Sequence, residues 1–229
     1  MIYVISDIHG NIYALKKFFK KIKLTSNDNV IALGDYIGYY YDANECLNLL
    51  RRKKTICILG NHDENFLKYY NNKKMLKKLS DRYGNSYYLA KKNISTTNMK
   101  FLKKLKKNKT IKFGKISVKF SHGSPWKIDQ YIYPNTDISL LNKFKKFPND
   151  VFFVGHTHRK LKLKVEKKII YNPGSIGQPR DGRKGLHWIE FNEKNLNVEF
   201  KSALYGVKKL KMQILLNDKL KYKQLSKYF

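Results

Sequence analysis

Cysteine is almost absent: Cys46 and Cys57 are the only two in 229 residues. Two thiols cannot build a disulfide framework, so both are expected to be small core residues of a reduced, cytoplasmic protein. No apolar run approaches the ~18 residues that a membrane span needs. Met1-Ile2-Tyr3-Val4-Ile5-Ser6-Asp7 has neither the basic start nor the small-residue cleavage site of a signal peptide. These absences argue against membrane and secreted-scaffold readings. Acidic residues are scarce as well, with 17 Asp+Glu against 48 Lys+Arg and a net charge of +31. Such an excess invites nucleic acid or an anionic substrate. Yet the basic residues are overwhelmingly lysine, in doublets such as Lys16-Lys17, Lys20-Lys21, Lys103-Lys104 and Lys106-Lys107. They flank apolar positions at helical spacing, as a solvated helix face does. The abundance of Asn, Ile, Lys and Tyr is also what an A/T-rich coding bias produces. Nucleic acid is therefore a partner that the charge permits without requiring, because a basic stripe and not total charge is the footprint.

What is present is an alternation of apolar segments with loops and helices. Ile2 to Ser6 reads as a short buried strand, and Ala14, Leu15, Phe18, Phe19 and Ile22 then recur at helical spacing. Val30 to Leu33 is a second strand, Ala43 to Leu50 a helix and Thr55 to Leu59 a third strand. This order predicts an α/β sheet, with ligands at the carboxyl ends of the strands. Glu64 to Lys109 is Lys-, Asn- and Tyr-rich and helical in pattern, with Ser95 or Thr96 as N-cap before Met99. It predicts a small helical insertion beside the site. Phe113-Gly114-Lys115-Ile116 predicts a tight hairpin turn into a strand at Ser117 to Ser121, and Val151 to Val154 predicts another. Leu161 to Val165, Ile169 to Asn172, His187 to Phe191 and Leu196 to Phe200 alternate like antiparallel strands of a second sheet. From Val207 to Phe229 the pattern predicts one or two helices packed on the outside. No internal repeat or linker divides the chain, so residues 1–229 are expected to form one domain.

Six histidines occur, and five of them follow short apolar strands: His9, His62, His122, His156 and His158. Asp7, Asp35 and Asn61 stand in the same kind of position. One histidine after a strand is ordinary, and Gly-Asp or Gly-Asn pairs are ordinary turn chemistry. Five such coincidences in order are better explained by a shared metal site. Imidazole and carboxylate donors without thiolate suit manganese best, with iron, zinc, nickel and cobalt as alternatives. His187 lies outside these contexts and is expected to be a plain strand residue.

Asp7-Ile8-His9, Gly34-Asp35, Gly60-Asn61-His62-Asp63, Ser121-His122 and Gly155-His156-Thr157-His158 resemble the five blocks of the calcineurin-like metallophosphoesterases. Gly34 to Tyr39, His122-Gly123-Ser124-Pro125 and Asn172 to Gly182 are similar to the compact, prokaryotic-type phosphodiesterase and phosphatase branch. The resemblance implies a four-layer α/β/β/α sandwich with two mixed sheets and a binuclear centre. It assigns Asp7, His9, Asp35 and His158 to one metal, and Asp35, Asn61, His122 and His156 to the other. It further implies attack on phosphate mono- or diesters by a hydroxide bridging the metals, with His62 stabilising the transition state or protonating the leaving oxygen, and Asp63 placed to orient His62. The Asp-Arg-Gly of the Ser/Thr protein phosphatases is missing, since Gly34-Asp35 runs into Tyr36. That departure points away from protein substrates and towards small phosphoesters.

Arginine is rare in this lysine-biased chain, yet Arg159, Arg180 and Arg183 fall in the last blocks. Guanidinium offers phosphate a bidentate fork that lysine cannot. Arg180 is therefore the candidate substrate-binding residue, against an equally open reading as a turn arginine paired with Asp181 or a carbonyl. Tyr39, Tyr40 and Tyr41 could wall a base or sugar, although aromatic runs more commonly pack. Two rivals remain: a metal-dependent nuclease on RNA or DNA, and a basic scaffold or nucleic-acid-binding protein with a vestigial metal site. The sequence names neither the physiological substrate nor the native metal, and gives no oligomeric state.

Overall fold

The computed structural model describes all 229 residues. β1 (Ile2–Ile5) is buried along its whole length. Its pleat sends Tyr3 and Ile5 to one core and Ile2 and Val4 to another, so the strand reads as an unbroken apolar run. α1 (Ile12–Lys21) starts at Asn11, whose Oδ1 accepts the Ala14 N–H at 3.1 Å. The Asn11 amide also donates to Gly177 O at 3.0 Å, joining the first loop to the last block. β2 (Asn29–Ala32) runs parallel to β1, followed by α2 (Ala43–Arg52) and β3 (Ile56–Cys57). Strand pairing is shorter here than Thr55 to Leu59 suggests, because the Leu59 N–H turns away to Lys106 O at 2.9 Å.

The Lys- and Asn-rich stretch forms α3 (Asn61–Tyr69), α4 (Lys73–Tyr83), α5 (Ser86–Asn93) and α6 (Thr96–Lys104). Ser95 caps α6, its hydroxyl accepting the Asn98 N–H at 3.1 Å. β4 (Asn108–Phe113) and β5 (Ile116–Ser121) then pair antiparallel across the two-residue turn Gly114-Lys115. α7 (Ile138–Asn142), β6 (Val151–Phe153), β7 (Lys160–Val165) and β8 (Lys168–Pro173) follow. The chain ends with β9 (Leu186–Asn192), β10 (Asn197–Ala203), α8 (Lys208–Asp218) and α9 (Tyr222–Ser226).

Two five-stranded mixed sheets result, ordered β10-β9-β1-β2-β3 and β4-β5-β6-β8-β7. Between them lie Val4, Ile31, Val118, Phe120, Phe153, Ile189 and Phe191. Outside the first sheet, Ile5, Leu15, Phe18, Leu47, Phe66 and Tyr87 join it to the helices. Outside the second, Phe144, Phe152, Val154 and Ile170 form a smaller core. The expected α/β/β/α sandwich is thus present. One assignment is corrected: β9 and β10 were expected in the second sheet, but β9 lies antiparallel to β1, with Val4 opposite Ile189. Alternation shows that a strand has two faces, and does not say which sheet it joins. β9 buries Ile189 and Phe191 between the sheets and Leu186 and Trp188 against the helices.

Parallel pairing sets the carboxyl ends of β1 and β2 together and those of β5 and β6 together, and the loops beyond them meet along one edge of the sandwich, where Asp7 accepts the His156 N–H. There the loops after β2 and β3 press backbone to backbone. Gly34 (φ 98°) has no room for a Cβ, which would collide with the Gly60 backbone. The tail covers this edge from the side: Leu210, Ile214, Leu225 and Phe229 pack on Tyr40 and Tyr41. Tyr40 donates its hydroxyl to Leu225 O (3.0 Å) and Tyr41 to Asp218 Oδ2 (2.8 Å). No helix is long and apolar enough to cross a membrane.

Candidate metal centre

Backbone strain marks the site before any side chain is considered. Asp7 (φ 54°), His9 (49°), Asp35 (57°), Tyr39 (62°), His156 (66°) and His158 (59°) all hold left-handed conformations. Such residues each cost of order 1–3 kcal/mol and persist only where the surroundings over-determine them. Here the surroundings are loops that leave three strand ends and turn inward over one point.

Side chains then converge there. His9 Nδ1 lies 2.9 Å from Ile37 O, His122 Nδ1 2.7 Å from Leu33 O and His158 Nδ1 2.7 Å from Gln178 O. A carbonyl accepts only, so each Nδ1 carries the hydrogen; burial holds the His9 and His158 rings neutral, and each of these turns a lone pair inward from Nε2. Two such atoms, on His9 and His158, stand 3.1 Å apart. Asn61 Oδ1 lies 2.9 Å from His122 Nε2. The carboxylates behave alike: Asp7 accepts the His156 N–H (3.1 Å) and Asp35 the His62 N–H (2.8 Å), each through one oxygen. Their other oxygens, Asp7 Oδ1 and Asp35 Oδ2, are buried without a hydrogen-bond partner, as is His156 Nε2. Asp35 Oδ2 is 3.2 Å from His122 Nε2 and 3.6 Å from His9 Nε2, and Asp7 Oδ1 is 3.3 Å from His158 Nε2.

Facing lone pairs and orphaned carboxylate oxygens repel unless a cation lies among them. The donor set fits divalent metal. Asp7, His9 and His158 make one cluster of ligand atoms, Asp35, His122 and His156 a second, and His9, Asp35 and His62 a third. Electrostatics describe the same electron-rich hollow. Burial pushes Asp7 up to about 6 and His156 down to about 3. For His122, burial is outweighed by Asp35, which lifts the ring to about 9.

His62 sits beside these donors on α3, with its Nδ1 2.8 Å from Tyr87 OH. The expectation that Asp63 orients His62 is overturned. Its carboxylate instead accepts four backbone N–H groups: Asp35 (2.8 Å), Tyr36 (2.9 Å), Ile37 (3.1 Å) and Gly60 (3.0 Å). At the third position of α3, Asp63 faces back over the helix start, where only loop amides are within reach. Asp63 therefore clamps the loops that carry Asp35 and Asn61. Nor is Arg180 a turn arginine of the expected kind, since its side chain meets neither Asp181 nor a backbone carbonyl. Its Nη2 donates to Tyr39 OH (2.8 Å) and Gln178 Oε1 (2.6 Å), and its guanidinium lies 5.3 Å from the Tyr39 ring centre.

A cleft of about 200 Å³ opens above Asp35, Asn61, His62, His156 and His158, and Tyr39, Arg82, Tyr83, Tyr131, Arg180 and Gln224 wall it. Tyr40 and Tyr41 pack under the tail, and only Tyr39 reaches the cleft. Sequence reasoning missed Arg82, Tyr83, Tyr131 and Gln224. Arg82 carried a usable signal, being an arginine in a lysine-rich helix. Tyr131, stacked on His156 at 4.1 Å, comes from a loop with no pattern. His187 is buried in β9 with both ring nitrogens unpartnered, away from the cleft.

Comparison with known proteins identifies the family and the fold. The model of the calcineurin-like phosphoesterase superfamily domain matches residues 1–194. The uncharacterized protein MJ0912 of Methanocaldococcus jannaschii is 34% identical over 242 residues, covering 95% of this chain and 93% of that one. The crystal structure of a metallophosphoesterase from Sphaerobacter thermophilus superposes with a TM-score of 0.80 at 26% identity, covering 98% of each chain. The hypothetical protein PH1004 of Pyrococcus horikoshii OT3 shares the fold, with a TM-score of 0.78 at 21% identity over 94% of this chain and 93% of that one. The chain belongs to the calcineurin-like phosphoesterase superfamily.

Proposed function

We propose that this protein is a two-metal hydrolase of small phosphate mono- or diesters, working in a reducing, cytoplasmic setting that its two free thiols suit. The observation that carries the reading is the set of buried, unpartnered donor atoms, Asp7 Oδ1, Asp35 Oδ2 and His156 Nε2, together with the facing Nε2 atoms of His9 and His158. Two divalent cations, one held by Asp7, His9, Asp35 and His158 and one by Asp35, Asn61, His122 and His156, would polarise phosphoryl oxygens and acidify a water. The chain's own groups do the rest. Asp35 serves both ligand sets and its charge offsets repulsion between them. His62, which burial lowers to about 4 and so holds neutral, carries its proton on Nε2 when Tyr87 donates to Nδ1, and offers a hydrogen bond to charge developing on phosphate or on the leaving oxygen. Arg180 and Arg82 offer guanidinium forks from the cleft walls. Water enters the reaction, and an alcohol leaves together with inorganic phosphate from a monoester or a phosphate monoester from a diester.

The test is chelation followed by reconstitution, screened on bis-p-nitrophenyl phosphate, p-nitrophenyl phosphate, nucleotides and short oligonucleotides. Activity should vanish with the metal and return best with Mn2+, or with iron, zinc, nickel or cobalt ions, given the mixed imidazole and carboxylate donors. Equal activity in stringently metal-free protein would refute the reading.

A further inference from the structure

The chain holds only six arginines: Arg51, Arg52, Arg82, Arg159, Arg180 and Arg183. Four of them gather at two adjoining hollows, and apart from Arg51 and Arg52 every other basic side chain of the chain but histidine is lysine. Arg82 and Arg180 wall the metal cleft. Beyond Arg180 lies a second cavity of about 360 Å³, bounded by Arg159, Arg180, Arg183, Lys184 and Lys227 with Tyr228. No carboxylate lines it, and none of these five cations takes part in an ion pair. Asp181, adjacent in sequence, is turned elsewhere: Oδ1 accepts the Arg183 N–H (3.3 Å) and Oδ2 faces His187 Nδ1 (3.5 Å).

Arg180 is common to both hollows. Its guanidinium is flanked by the Tyr39 ring on the cleft side and the Tyr228 ring, at 5.6 Å, on the other. Its Nε and Nη2 are spent on Gln178 and Tyr39, while Nη1 has no protein acceptor. Five unpaired cations around one concavity repel one another, and an anion seated among them relieves that cost. Forked guanidinium donors from Arg159 and Arg183, with two ammonium groups, outnumber the lone pairs of a carboxylate and match the three oxygens of a phosphate dianion.

We propose that this cavity is a subsite for a second, terminal phosphate, so that the substrates are phosphoesters carrying another phosphate a short spacer from the scissile one. This rests on the phosphoesterase reading and narrows its substrate class. The tail then has a part in recognition, since Lys227 and Tyr228 come from its last residues.

Binding of the dinucleotides pTpT and TpT, which differ only in a 5′-phosphate, tests the subsite. It is measured on the full-length, metal-supplied chain at about 0.15 M ionic strength, with His62→Ala so that little of either ligand is consumed before equilibrium is read. His62→Asn serves if the alanine variant melts early. The 5′-phosphate should tighten binding about tenfold or more. Arg183→Ala/Lys227→Ala should bring the ratio within about twofold of one, while Lys103→Ala/Lys104→Ala, an equal charge loss on exposed α6, should leave it unchanged. A ratio near one in the parent, a ratio that survives the cavity substitutions, or an equal loss in the α6 control would each overturn the subsite. Hydrolysis of bis-p-nitrophenyl phosphate by the unaltered chain is scored separately. Its absence would count against the phosphoesterase reading, and the binding ratio would still judge the subsite.

Discussion

At the scale of single residues, the centre assigns different work to neighbours in sequence. Asp35 and His62 show this most sharply. Asp35 presents one bare oxygen to His9 and His122, so Asp35→Asn should remove bound metal and turnover together. His62 is held by Tyr87 outside the proposed ligand sets, so His62→Ala should keep both metals and lose about 10²–10⁴ in rate. Metal analysis beside kinetics separates the two; metal loss in the His62 variant would make it a ligand. Arg180 gives a second contrast. Lysine keeps its charge but not its fork or its contacts to Gln178 and Tyr39, so Arg180→Lys should lower kcat/KM by roughly tenfold with the melting temperature kept. A lysine variant equal to the parent would exclude a bidentate role.

Elements position these groups, and glycine is where they touch most closely. Gly38 holds φ 97°, and a Cβ there would collide with His62 Nδ1, the atom that Tyr87 secures. Gly38→Ala should therefore displace the ring, cutting turnover at least about tenfold, and destabilise the fold by more than ~1 kcal/mol, with metal content unchanged. A variant with parental turnover would mean that the ring position does not matter. β9 supplies a pH effect remote from the centre. Burial first, then nearby Lys160, lowers His187 to about 4. An unfolded histidine titrates near 6.5, so the neutral folded ring contributes stability in full above that value, and loses it as pH falls towards 4. His187→Leu has no proton to gain, so its urea midpoint should fall less than the parent's between pH 7 and 4.5; parallel curves would refute the assignment. The strand-end loops were readable because chemistry and chain punctuation coincide there, as in Gly34-Asp35 and Gly60-Asn61-His62. The sheet membership of β9 and the reach of Asp63 were not, since alternation carries no partner and a carboxylate one turn into a helix can face either way. Tyr131 and Gln224 arrive through tertiary packing alone, from a loop and from the tail.

At the scale of the whole molecule, the excess positive charge decides between a small-molecule esterase and a nuclease. A chain at +31 adheres to any polyanion at low salt, so adherence by itself says nothing about function. Its lysines cover opposite faces: Lys16, Lys20 and Lys21 lie exposed on the helical layer of the first sheet, while Lys109, Lys112 and Lys162 lie exposed on the second. At the cleft itself the cations are Arg82 and Arg180, and beside it the compact cluster of Arg159, Arg183, Lys184 and Lys227 is a local patch of the size of a single phosphate group. A strand of nucleic acid could neutralise many of these lysines only by wrapping, and its log affinity would fall by roughly 0.7–0.9 per phosphate for each tenfold rise in salt. A small phosphoester relies on a few partly desolvated contacts at the cleft, which are screened far less. Oligonucleotide affinity should accordingly collapse towards about 0.15 M ionic strength, while turnover of a small phosphoester changes little and far exceeds cleavage of any oligonucleotide. Metal-dependent oligonucleotide cleavage that stays efficient at that salt, and weakens when lysines of α4 and α6 are replaced, would instead make the helical insertion a nucleic-acid surface and the protein a nuclease.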